Sequence, residues 1–240
     1  MIQASRIITK AAVLLQDTGA VRWSASELLD WLNMGQVQIV TVKPDAVSIV
    51  AEMRLVAGKT RQSLPNGTAS FPDASGATLR SGIKLLDIVR NMGSDGKSPG
   101  RAIQIVDRKF LDQVDPFWHS GGPSTTIYNY TYDEKTPRIF YVTPPVHATV
   151  NVWVELVYTP VPTPLTSSDD YIELSDEYEP ILLDYVLFRA LSKQIDSADA
   201  LQKAVAYYQA FMGALERYGV TEIEADPNIH PISSSFRRTQ

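Results

Sequence analysis

The stretch RWSASELLDWLNMGQVQIVTVKPDA, residues 22–46, decides how the rest of the chain is read. Ser24 and Glu27 stand at capping-box spacing, so the serine hydroxyl can accept from the Glu27 backbone N–H while the glutamate reaches back to the helix start. Leu28, Trp31, Leu32, Gly35, Ile39 and Val42 recur every three or four residues, which places them on one face of a helix. That helix ends near Lys43, because a residue before proline, here Pro44, disfavours helical geometry. Gly35 lies on the same face at a cost of about 1 kcal/mol against alanine, and the usual return is close approach by a neighbouring element. Trp31 and its neighbours read as core rather than as a ligand-stacking surface. The stretch specifies a helix thoroughly and carries no chemistry.

Working outward, residues 4–15 form a first helix with Ile7, Ala11 and Leu14 on one face, and Gly19 is placed to turn the chain. Two helices joined so tightly pack antiparallel. After Ala46 the period changes. AVSIVAEMRLV and TRQSLP read as strands separated by Gly58, and Asn66-Gly67 is a turn signal. IKLLDIVRNM and RAIQIVDRKF are strand-like and joined by GSDGKSPG, a hairpin tip. TIYNYTY, PRIFYVTPP and ATVNVWVELVYTP alternate β-branched and aromatic residues, with one short helical turn in KFLDQVDPFW before them. Several short strands at turn-marked spacing imply a sandwich or small barrel.

TPVPTPLTSSDD, residues 159–170, is the clearest linker, and helical periodicity returns after it. Glu179-Pro180 suits a first helical turn. ILLDYVLFRALSKQI is apolar nearly all round, as a buried helix is. Leu201, Ala204, Val205, Tyr208, Phe211, Met212 and Leu215 form a stripe on a fourth helix that ends at Gly219. The expected fold is therefore α+β: a four-helix domain from residues 1–45 and 166–219, an inserted antiparallel β-sandwich or barrel at 46–165, and an extended C-terminal tail at 220–240. The tail has too few apolar residues for a core of its own.

Composition narrows the function. With 240 residues a full core is available, and with no cysteine neither disulfides nor thiolate metal sites are possible, which is compatible with cytosolic assembly. No segment reaches the roughly 18 apolar residues of a membrane span, and the N-terminus reads as a first helix, not a signal. The net charge of −5 is uneven: residues 166–226 hold thirteen acidic and four basic side chains. So acidic a segment argues against tight, non-specific nucleic-acid binding.

Recognisable chemistry is missing. Gly96-Lys97-Ser98 resembles the end of a phosphate loop, but Asn91 stands where its first glycine belongs. His119, His147 and His230 form no metal-ligand pair at helical spacing, and no metal or other cofactor is expected. Asp169, Asp170, Glu173, Asp176, Glu177 and Glu179 cluster, but acidic residues at a helix start complement its dipole. No catalytic residues are assigned and the chain is not expected to be an enzyme. Two rivals are an enzyme built on the acidic cluster, testable at Asp176, and a carbohydrate-binding module using Tyr128, Tyr130 and Tyr132 if those rings are coplanar and exposed.

Asp17-Thr18, Arg22-Trp23, Glu27-Leu28-Leu29, Trp31-Leu32-Asn33, Gly35-Gln36 and Lys43-Pro44-Asp45-Ala46, in that order and spacing, resemble the N-terminal region of phage head–tail adaptor proteins. The resemblance is to the group related to the tail tubular protein A of short-tailed phages. Leu174-Ser175 and Tyr178-Glu179-Pro180-Ile181 look like that family's third helix, while Met34 departs from its pattern, where a polar or acidic residue is expected. The resemblance implies a virion protein, assembled in the host cytoplasm, that forms a ring, commonly of twelve copies, beneath the portal. It also implies contact with the portal above and a distal tail or nozzle protein below, and a lumen through which DNA is ejected without specific binding. On that reading Trp23, Trp31 and Gly35 are a scaffold for subunit packing. Ile229, Ile232 and Phe236 with Arg237 and Arg238 are anchors by which the tail docks on the portal.

Overall fold

The computed structural model describes residues 2–194 and 197–225, the last seven of these by backbone alone. Its helices are α1 (Ala4–Leu14), α2 (Ala25–Val42), α3 (Arg108–Val114), α4 (Glu179–Ser192) and α5 (Ala198–Ala225). Its strands are β1 (Ile49–Arg54), β2 (Arg61–Ser63), β3 (Gly82–Asn91), β4 (Gln104–Ile105), β5 (Asn129–Tyr132), β6 (Ile139–Thr143) and β7 (Trp153–Pro160). The fold is α+β, as the periodicities predict. The chain divides into two compact units, one from residues up to Lys43 and from Pro164 onward, the other Pro44–Thr163.

In the first unit α1, α2, α4 and α5 bury their apolar stripes against one another, with Ile7, Leu32, Ile39, Leu182, Val186 and Phe211 almost wholly enclosed. The connection from α1 to α2 is set by Asp17. Its carboxylate accepts from the backbone N–H groups of Val21, Arg22 and Trp23 at 2.8–2.9 Å, and the bond from Trp23 is the chief reason its pKa lies below the usual 3.8. Gln16 and Ala20 take the left-handed backbone here, not Gly19. α5 runs through Gly219 to Ala225. A lone glycine costs a helix only about 1 kcal/mol, and Thr221-Glu222-Ile223-Glu224-Ala225 contains no breaker, so residues 220–225 are helix rather than tail.

In the second unit two sheets enclose one core, to which Met53, Ile88, Ile127, Phe140, Leu156 and Tyr158 contribute. One sheet is antiparallel with order β1-β7-β3; the other has order β2-β6-β5-β4, and its β4–β5 pair is parallel. Burial lifts the Tyr158 phenol to about 12, and its hydroxyl donates to the Arg80 carbonyl at 3.0 Å. Buried Asn91 fastens three segments: its amide donates to the carbonyls of Arg101 (2.9 Å) and Ile127 (2.8 Å) and its oxygen accepts from the Ile127 N–H at 2.8 Å. The segment RAIQIVDRKF is strand only at Gln104–Ile105, because Asp107 accepts from the Lys109 N–H at 2.7 Å and starts α3.

Candidate assembly surface

The inward side of α2 is built for tight packing. Ser24 caps it, accepting from the Glu27 N–H at 3.2 Å, whereas the Glu27 carboxylate turns to the Lys193 ammonium at 2.7 Å instead of reaching back to the helix start. Trp23 is buried and its indole N–H donates to the Ala190 carbonyl at 3.2 Å, which ties the start of α2 to the end of α4. A methyl group on Gly35 would lie 3.0 Å from Tyr185 Cδ1 and 3.3 Å from Leu182 Cδ2, so the missing side chain is what lets α4 approach. Asn33 holds the chain entering from the other side, donating to the Leu165 carbonyl at 3.0 Å and accepting from its N–H at 2.8 Å. Glu179 at the start of α4 pairs with Arg6 (2.9 Å) and Lys10 of α1. Trp23, Trp31 and Gly35 are all buried within the helical unit, and Trp23 and Gly35 lie on the contacts that fix α2 against α4.

The outward side of the same unit leaves several apolar side chains exposed among its polar ones. Met34 and Val37 on α2 are 44% and 45% exposed, and with Asn33, Gln38 and Tyr185 they line a depression of about 370 Å³. Met34, the residue that departs from the adaptor pattern, is thus part of this surface. On α5 the sequence stripe is only partly covered. Ala204, Phe211 and Leu215 are buried, while Leu201, Val205 and Tyr208 are left at 57%, 49% and 40% exposure. Tyr208 packs its ring 4.9 Å from Phe188, which fixes it in place without covering it. The sequence does not separate the two sets, since an apolar stripe of this spacing is ordinary for an amphipathic helix.

Other candidate groups serve the fold. Asp170 accepts from the N–H groups of Ser167 (2.9 Å) and Thr166 (2.7 Å), the backbone bond from Ser167 being the first cause of its lowered pKa. Glu177 accepts from the Ser175 hydroxyl at 2.8 Å. With Asp170 in a turn, Glu177 on Ser175 and Glu179 in ion pairs, the acidic cluster has structural work. Asp184 on α4 is different: burial raises its pKa and no partner among the described residues compensates. Tyr130 is buried, with its hydroxyl donating to Asp87 at 2.9 Å, so Tyr128, Tyr130 and Tyr132 do not form an exposed ring platform. His119 packs edge-on to Trp118, and His147 accepts from the N–H groups of Thr149 and Val150. Lys97 and Ser98 belong to a turn in which Asp95 accepts from both their N–H groups. Among the described residues no cluster of His, Asp and Glu is placed to hold a metal, and no helix is long and apolar enough to cross a membrane. Ile229, Ile232, Phe236, Arg237, Arg238 and His230 lie outside the described residues.

A family model described as SU10 adaptor protein matches residues 2–231. No curated protein matches the chain.

Proposed function

The chain belongs to the SU10 adaptor protein family of phage head–tail adaptors, structural proteins of the virion, and from that premise we propose that it forms a ring between the portal and the distal tail. The observation that carries this reading is the apolar outer surface of the helical unit, where Met34 and Val37 on α2 and Leu201, Val205 and Tyr208 on α5 face solvent. Clustered exposure of this kind marks an interaction surface. In a ring each subunit meets its neighbour through two different patches, and two helices of one unit supply them. Trp23, Trp31 and Gly35 act from inside, by setting the position of α2.

The ring continues the DNA channel. The acidic balance of residues 166–226 suits a wall that DNA must slide past, since like charges form none of the phosphate contacts that retain nucleic acid. The segment after Asp226, with Ile229, Ile232, Phe236, Arg237 and Arg238, docks on the portal, and truncation at Asp226 should leave a folded chain that fails to join portal-containing heads. The chain acts by binding and carries no catalytic role.

The test is the pair Met34→Asp and Val37→Asp in the full chain. Because both side chains are already part-exposed, the double variant should keep its circular dichroism spectrum and melt within about 3 °C of wild type. It should nevertheless fail to complete tails on portal-containing heads in an in vitro assembly assay. Tail completion at the wild-type level would refute the role given to this surface.

A further inference from the structure

We infer that the open edge of β1 is a docking site for an extended, basic segment of a different polypeptide, which joins the β1-β7-β3 sheet as a fourth strand. The inference stands apart from the adaptor reading and rests on backbone direction and on a charge row across the sheet.

β1 is the outermost strand, paired with β7 without a register shift from Ile49↔Tyr158 to Arg54↔Trp153. The Leu55 N–H donates to the Val152 carbonyl at 2.9 Å. In an antiparallel ladder hydrogen-bonded residues alternate, so the odd-numbered residues face β7 and the N–H and C=O groups of Val50, Glu52 and Arg54 point away from it. Among the described residues no hydrogen bond engages those outward groups. Proteins usually blunt such an edge with a bulge, a proline or a covering segment. The opposite edge of this sheet shows what that looks like: β3 has three register shifts, and residues 101–103 cover it through Asn91 N–H to Arg101 O (2.9 Å) and Ile103 N–H to Val89 O (3.1 Å). Among the described residues β1 has none of these devices.

The charges say what kind of strand fits. Glu155 of β7 lies between Arg90 of β3 and Glu52 of β1 in register, and the Arg90 Nε meets a Glu155 carboxylate oxygen at 2.6 Å. Glu52 therefore stands beside a like charge, with no ion pair of its own among the described residues. A lysine or arginine on an added strand, opposite Glu52, gives each of the two glutamates a basic neighbour, Arg90 for Glu155 and the added residue for Glu52, and cross-strand pairs of opposite charge stabilise a sheet where like pairs do not. Val50, 61% exposed and two residues away on the same face, offers apolar contact to the same strand. A second copy of β1 fits less well. Antiparallel self-pairing centred on Glu52 sets the two glutamates against each other. The register that pairs Glu52 with Arg54 runs into Val56, whose N–H and C=O are both taken by the Gln62 side chain at 2.7 and 3.1 Å. Recognition is thus strand addition, with affinity from the main chain and selectivity from alternate side chains.

The experiment uses the full chain and a labelled, end-blocked peptide, Thr-Val-Thr-Lys-Thr-Val-Thr, whose palindromic order brings its lysine opposite Glu52 in either strand direction. A second probe has Glu at the centre. Fluorescence anisotropy should show the lysine probe binding at least about threefold tighter than the glutamate probe, with the preference inverted in Glu52→Lys. Val50→Pro, which removes an outward N–H but no rung to β7, should lose both. Failure of the lysine probe to bind, or a preference indifferent to Glu52→Lys, overturns the inference. So does binding that appears only after residues 226–240 are removed, because the chain's own segment then holds the edge. Self-association of wild type in sedimentation velocity that Val50→Pro abolishes also overturns it, in favour of a second copy.

Discussion

Replacing Gly35 with leucine should destabilise the helical unit even though leucine is the better helix former. The first added carbon already lies 3.0 Å from Tyr185 Cδ1, 3.3 Å from Leu182 Cδ2 and 3.4 Å from Tyr185 Cγ, closer than carbon atoms pack at rest. Leu182 is fully enclosed, and the Tyr185 ring, with Phe211 at 5.2 Å and Phe188 at 6.0 Å, can give by no more than a few tenths of an ångström. Three more heavy atoms must then fit where none fits. Overpacking of this kind costs up to about 3 kcal/mol, against roughly 1 kcal/mol gained in helix propensity, a net loss of about 2 kcal/mol. For a chain of this size that lowers the melting temperature by about 4–8 °C. Gly35→Ala separates the two effects: Tyr185 borders the surface depression and can yield by a few tenths of an ångström, so gain and strain should cancel to within about 3 °C. Thermal melts followed by circular dichroism at the helix band measure both. A leucine variant that melts at or above wild type would show that α2 and α4 are not in close contact at Gly35.

Asn91→Ala leaves the buried N–H and C=O of Ile127 without their partner and should cost about 2–4 kcal/mol, read as a lower denaturant midpoint. Asp17 has a folded pKa below its unfolded one, so the stability it contributes is present above the unfolded value and lost as pH falls through the folded one. Wild type should therefore lose melting temperature more steeply than Asp17→Asn in the acid range below the usual 3.8. Asp184 runs the other way: burial raises its folded pKa, so its contribution is present below the unfolded value and is lost as pH rises through the folded one. Asp184→Asn should melt higher than wild type at neutral pH, with the advantage gone in acid; equal melting at neutral pH would contradict the burial. Deleting residues 44–163 and bridging the gap with a short flexible linker should leave a helical protein, since the four stripes bury one another; a product without helical circular dichroism would mean the two units share their stability.

The helices were legible because their ends carry local chemistry. Ser24 caps α2 and Pro44 closes it, and both are decided by a few neighbouring residues. Interior packing was legible where a residue makes sense in one role only, as Gly35 does on an apolar face. What stayed hidden depended on partners distant in sequence. Glu27 could cap its own helix or pair with Lys193, 166 residues away, and the pattern alone favours the nearer choice. Gly19 looked like the turn, yet three backbone bonds to Asp17 fold the connection while Gln16 and Ala20 take the unusual backbone. β4 is two residues long and parallel to β5, too short for alternation to announce it. Tyr128, Tyr130 and Tyr132 share a period of two, but the pattern does not say which side of a strand is the core.

The apolar residues of α2 and α5 show why the surface was the hardest part to read. A hydrophobic stripe in a sequence records everything that must leave water, whether it leaves on folding or on assembly. Leu201, Val205 and Tyr208 therefore merge with Ala204, Phe211 and Leu215 into one stripe, and only the position of α4 separates the two sets. The same distinction explains a helix as well specified and as chemically empty as α2. Trp23, Asn33 and Gly35 hold it against Ala190, Leu165 and Tyr185, one contact just before its start and two on different sides of its middle, and that fixes both its tilt and its rotation. Rotation is what brings Met34 and Val37 outward. What a structural adaptor must supply is a surface held in one orientation, and the buried side of α2 determines that of the exposed side.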